Sequence, residues 1–139
     1  MEETDRLELR RLWRLSWLDS IEELSNADAQ AARWGNDPSP HYSYIEYRCC
    51  YFDDLALSEA GGGYGAATQA GLVSGSEAKA VEQFHQSFSR YQPPTTIWDN
   101  DGVLADPKWR DVVAEATQAK TALSAILTDD TELWHLTQP

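Results

Sequence analysis

Residues 74–127 read SGSEAKAVEQFHQSFSRYQPPTTIWDNDGVLADPKWRDVVAEATQAKTALSAIL. Ser74-Gly75-Ser76-Glu77 has the form of a capping box, in which the serine accepts from the backbone three residues on and the glutamate reaches back. Val81, Phe84, Phe88 and Tyr91 then recur at steps of three and four, one apolar stripe of an α-helix. Pro93-Pro94 stops it, since neither ring has an N–H and Pro93 disfavours a helical Gln92. Asp106-Pro107 opens a second helix, with a carboxylate cap followed by proline at the first position. Its stripe is Trp109, Val112, Val113, Ala116, Ala119, Leu123, Ile126 and Leu127, and the two alanines allow close approach of a neighbour. The segment predicts a helical hairpin, Ser74–Leu127, around which the remaining chain packs.

Working outward, residues 3–34 predict two helices, or one kinked near Ser16. Leu9, Trp13, Trp17, Ile21 and Leu24 are the core stripe, widened by Leu12, Leu15 and Leu18. The pair Glu22-Glu23 reads as a solvated helix face. Asn26-Ala27-Asp28 can restart a helix that stops at Gly35. Gly35 to Pro40 is a loop by composition. Residues 41–52 fit a strand by their aromatic and β-branched content, yet Ile45, Cys49 and Phe52 share a helical face. Helix is favoured, because a lone strand cannot satisfy its backbone. Gly61-Gly62-Gly63-Tyr64-Gly65 predicts a close-packed turn or flexible loop, Ala66–Leu72 a short helix ended by Gly71, and Leu133, Trp134 and Leu136 a cover over one end of the core. The expectation is a single all-α domain, 1–139, of four to six helices.

The net charge of −12 is spread along the chain. It repels phosphate backbones, which argues against nucleic-acid binding and suits solubility or the masking of a basic partner. No run reaches the ~20 apolar residues of a membrane span. The N-terminal arginines interleave with acids and no cleavage site follows, so a cytoplasmic protein is expected. Cys49 and Cys50 are adjacent and without a second pair, which predicts idle thiols instead of a disulfide framework. His41, His85 and His135 are too scattered to complete a zinc site with them. Neither a metal nor another cofactor is expected.

One motif bears on chemistry. Asp99-Asn100-Asp101-Gly102-Val103-Leu104 is similar to the first motif of haloacid-dehalogenase-type phosphatases, in which Asp99 would be the nucleophile, Asp101 the general acid and Mg²⁺ the bridge. That motif ends a buried strand of a parallel sheet. Here Pro93-Pro94-Thr95-Thr96 precede it, and the chain after Gly102 is mostly one helix. An EF-hand alignment on Gly102 puts Ile97 and Lys108 at ligand positions, where neither can serve. The glycine cluster lacks the Walker lysine. The segment therefore reads as an Asx-type turn, with Gly102 left-handed, leading to the Asp106 cap.

The pattern Gly71-Leu72-Val73-Ser74, Glu77, Phe84-His85, Tyr91-Gln92-Pro93-Pro94 and Asp106-Pro107-Lys108-Trp109 continues through Val112-Val113. With Tyr47 and Asp53-Asp54, it resembles a family of small acidic bacterial proteins, some of them immunity proteins of contact-dependent toxin systems. The resemblance implies a non-enzymatic, cytoplasmic binding protein that occludes a toxin domain, and the acidic surface would suit a basic, nuclease-like one. The candidate partner-binding residues are Tyr42, Tyr44, Tyr47, Tyr51, Asp53, Asp54, Trp98, Asp99 and Asp101, aromatic anchors with acidic neighbours. A structural or oligomerising module, a homodimer among its forms, stays open as the alternative. A small aspartate-dependent phosphohydrolase stands behind both.

Overall fold

The computed structural model describes residues 3–34 and 42–138. It is all-α: α1 Glu3–Ser25, α2 Ala27–Arg33, α3 Tyr44–Cys49, α4 Gly63–Gln69, α5 Gly75–Arg90, α6 Asn100–Ala105, α7 Pro107–Ile126 and α8 Asp130–Thr137. A single π-helical turn, Cys50–Asp54, continues α3. No strand occurs among the described residues. Residues 35–41, where a loop and His41 were expected, lie outside them.

The hairpin forms as its caps dictate. Ser74 Oγ accepts from Glu77 N at 3.1 Å while Glu77 Oε1 accepts from Ser74 N at 2.8 Å, and Asp106 caps α7 with Pro107 in its first turn. Every stripe residue of α5 and α7 is buried except Ile126, which the last turn of α7 leaves 38% exposed. α7 lies centrally, packing on α5, α1, α6 and α8. Its Trp109 is the hub: its ring centroid lies 5.8 Å from Trp34, 5.4 Å from Tyr44, 5.8 Å from Phe88 and 5.1 Å from Tyr91.

Among the described residues eight α-helices replace the four to six expected. The additions are α6 and α8, too short for an apolar period, each announced by one aspartate. Asp99 accepts from Gly102 N at 3.0 Å and Asp129 from Glu132 N at 3.0 Å, the geometry of helix N-caps. Gly102 is thus helical, not left-handed. It is glycine because an added Cβ would sit 2.6 Å from Asp99 Oδ2, within the cap itself.

Two more expectations are corrected along α1, which runs through Ser16 as one helix to Ser25. Leu9 and Leu12 are 53% and 52% exposed, because residues 3–12 lie beyond the packed core. Glu22 and Glu23 are not on a solvated face; they are 6% and 2% exposed. Glu23 accepts from Trp34 Nε1 at 2.9 Å and Arg33 Nη1 at 2.7 Å, while Glu22 accepts from Asn26 Nδ2 at 2.9 Å. Burial raises the Glu23 pKa, and these N–H donors only partly restrain it.

The second polar group in the interior is a clasp. Arg14, 4% exposed, holds Glu77 through Nη1 and Nη2 at 2.9 and 2.8 Å, and Glu132 through Nε and Nη2 at 2.7 and 3.1 Å. Nη1 also donates to Leu72 O at 2.8 Å. The fork of one guanidinium thereby ties α1 to α5 and α8 with each of its N–H groups used.

Candidate protein-binding face

The two clusters of candidate binding residues, distant in sequence, meet at one joint. Asn100 Oδ1, in the first turn of α6, accepts from Tyr44 N, in the first turn of α3, at 2.9 Å. Ser43 caps α3 and Asp99 caps α6, so both helix starts are locked beside each other. Tyr42 and Trp98 each lie two residues before that joint. Trp98 is 69% exposed, Ile97 39% and Tyr42 38%, with Arg33 stacked 5.1 Å over the Tyr42 ring.

The remaining candidates divide by helical phase. Tyr44 and Tyr51 are seven residues apart, two turns, and both point into the core at 1% and 0% exposure. As surface anchors they are ruled out in this fold. Tyr47 is half-buried, stacked 5.7 Å from Trp34. Asp53, Asp54 and Asp101 are exposed, whereas Asp99 is engaged as the α6 cap and accepts from Thr95 Oγ1 at 2.7 Å.

Helix α3 runs between two grooves. One, about 410 Å³, separates it from the connector 91–97. The other, about 670 Å³, opens between the π turn, residues 58–63 and the His85–Ser89 edge of α5. Arg48 borders both, its guanidinium 4.8 Å from the Phe52 ring centroid and 5.8 Å from that of Phe88. The π turn arises where Leu55 N reaches back to Cys50 O at 3.0 Å, and such single turns recur at functional sites. Burial raises both thiol pKa values, with Asp53 adding to the effect at Cys49, which favours the protonated thiols.

Beneath the larger groove lies a polar relay that pattern reading missed. Trp17 Nε1 donates to Tyr64 Oη at 2.8 Å, the Tyr64 and Tyr51 hydroxyls are 2.7 Å apart, and Tyr51 Oη lies 2.9 Å from His85 Nδ1. An indole N–H can only donate. Tyr64 therefore passes its proton towards Tyr51, and Tyr51 towards Nδ1. The reverse direction would load Tyr64 with two donors and leave its own proton without an acceptor, costing about 1–3 kcal/mol. Burial keeps both tyrosines un-ionised and lowers the His85 pKa. With the relay running in this direction Nδ1 accepts and the ring proton sits on Nε2, and burial favours the neutral imidazole. The only sequence signal for this role was a histidine one residue off the Phe84/Phe88 stripe.

The Asp99–Gly102 motif stands outside any sheet: Thr95–Trp98 are exposed and non-helical, and α6 follows at once. Among the described residues no group of three His, Cys, Asp or Glu side chains could hold a metal ion, and no helix is long and apolar enough to cross a membrane. No protein-family model matches the chain, and neither a curated protein nor a solved structure matches it.

Proposed function

We propose that the chain is a non-enzymatic binding protein that occludes a basic partner, an immunity protein acting on a bacterial toxin domain, with α3 and the flanking 97–101 segment as its contact face. The observation that carries this reading is Trp98. An indole 69% exposed next to Ile97 is the kind of rigid anchor that dominates interfaces, and the exposed carboxylates Asp53, Asp54 and Asp101 supply charge complementary to a basic cleft. The direct test is co-expression with the toxin domain encoded beside the gene, with cell survival as readout. Protection that is lost in Trp98→Ala supports the reading. A neighbourhood without such a toxin, or killing undiminished by the wild-type chain, ends it.

A second reading, a self-associating helical module, draws on Leu7, Leu9 and Leu12, which are 60%, 53% and 52% exposed along the first turns of α1. Light scattering distinguishes the two. A dimer lost in Leu9→Glu/Leu12→Glu favours the module; a strict monomer removes it.

A further inference from the structure

We infer that the groove between the π turn and the glycine turn is a binding site for an extended, positively charged peptide segment, whose backbone carbonyl accepts from His85 Nε2–H while its arginine or lysine side chain lies against Asp53 and Glu59. The inference rests on the basic-partner reading and specifies where on the face such a partner is gripped.

Three observations lead to it. First, the relay fixes His85 as a donor. With Nδ1 occupied by Tyr51 at 2.9 Å, the free valence of the ring is Nε2–H, and among the described residues nothing hydrogen-bonds to it. Burying two tyrosine hydroxyls to hold one ring in one tautomer gives a preorganised donor, which binds an acceptor without first losing side-chain freedom. Second, the wall beside that atom is backbone: Gly63 lines the same groove with φ +58°, and its Cα carries no side chain next to Nε2. Third, the rim selects charge. Asp53 and Glu59 are exposed carboxylates lining the same groove, whereas the cation there, Arg48, lies flat over Phe52 and Phe88. A neutral donor below and two carboxylates at the rim suit a carbonyl joined to a cation and disfavour an anion.

The test is a titration of the full chain at pH 7 with acetyl-Gly-Arg-Gly-amide, read from the side-chain ¹H–¹⁵N correlations of the histidines, His85 being assigned from His85→Gln. The free protein should show His85 as the neutral Nε2–H tautomer. The arginyl peptide should shift its ring signals saturably, and acetyl-Gly-Glu-Gly-amide should not. Asp53→Asn/Glu59→Gln, two exposed changes that leave the core alone, should weaken the arginyl peptide at least tenfold. Equal shifts from the glutamyl peptide, an unmoved His85, or unchanged affinity in the double variant would overturn the inference. The titration needs no toxin. Peptide binding without cell protection would sink the immunity reading and keep the site; protection without peptide binding would do the reverse.

Discussion

Around Arg14 every charge is matched, and around α3 aromatic and charged groups are left facing outward. The Arg14 clasp takes one cation and the Glu77 carboxylate out of water, partly covers that of Glu132, and satisfies each guanidinium N–H. On the α3 side Trp98, Ile97 and Tyr42 are exposed, and Ile97 and the carboxylates Asp53 and Glu59 line two open grooves. Both regions are polar and aromatic in sequence. The difference is that the first joins three helices of the same chain, where an unmatched charge would be costly, while the second leaves its aromatic and acidic groups exposed to solvent.

If that contrast is real, the largest effect belongs to the clasp. Arg14→Met should leave Glu77 buried, and Glu132 partly buried, without a counter-charge and cost about 3–5 kcal/mol in urea unfolding. The triple Arg14→Met/Glu77→Gln/Glu132→Gln should recover part of that loss. A single variant as stable as wild type would show the clasp to be dispensable.

Next comes the outward face, where the sign of the contrast reverses. Trp98→Ala should leave stability within about 0.5 kcal/mol yet weaken partner binding by about 2 kcal/mol, some 30-fold, by calorimetry. Loss of stability instead would place Trp98 among the structural residues and erase the distinction.

Acid sharpens the comparison further. Burial alone would raise the Glu77 pKa, but hydrogen bonds from Arg14 and Ser74 outweigh it and hold the carboxylate below the ordinary glutamate range. A depressed folded-state value means the stabilisation is complete above the unfolded glutamate pKa and is lost as pH falls through the folded one. Urea midpoints measured downward from neutral pH should drop in that window for wild type, and less steeply for Glu77→Gln.

The smallest effect concerns the joint between the two candidate clusters. Gly102→Ala forces Asp99 from its cap, because the new Cβ would meet Oδ2 at 2.6 Å. The expected cost is about 1 kcal/mol by thermal unfolding, together with altered backbone resonances at Tyr44, which Asn100 anchors one residue beyond the cap. No change at Tyr44 would uncouple the two clusters.

Legibility followed the range of the interaction. The Ser74 box, the Asp106-Pro107 start and the Phe84/Phe88 and Trp109–Leu123 stripes are local patterns, and they predicted α5 and α7 closely. The helical choice for residues 44–49 also stands. Glu22-Glu23 misled because a charged pair on a helix looks solvated until Trp34, Arg33 and Asn26 are folded against it. Tyr44 and Tyr51 misled because four tyrosines in ten residues resemble a paratope, and only helical phase separates those facing in from those facing out. Asp99 was read as chemistry or a bend when it caps a helix too short to announce itself, as Asp129 does for α8.

By itself, then, the sequence determined what repeats over a few residues: the all-α class, the hairpin and its boundaries, and the acidic surface, because backbone caps and apolar periodicity act between near neighbours. Only the tertiary structure decided that Arg14 reaches Glu132, that Asn100 bonds to Tyr44, and that Trp17, Tyr64, Tyr51 and His85 form one relay. Those contacts join residues far apart in the chain. A hydrogen bond made across such a distance leaves no periodic trace, since its geometry exists only once the helices have packed.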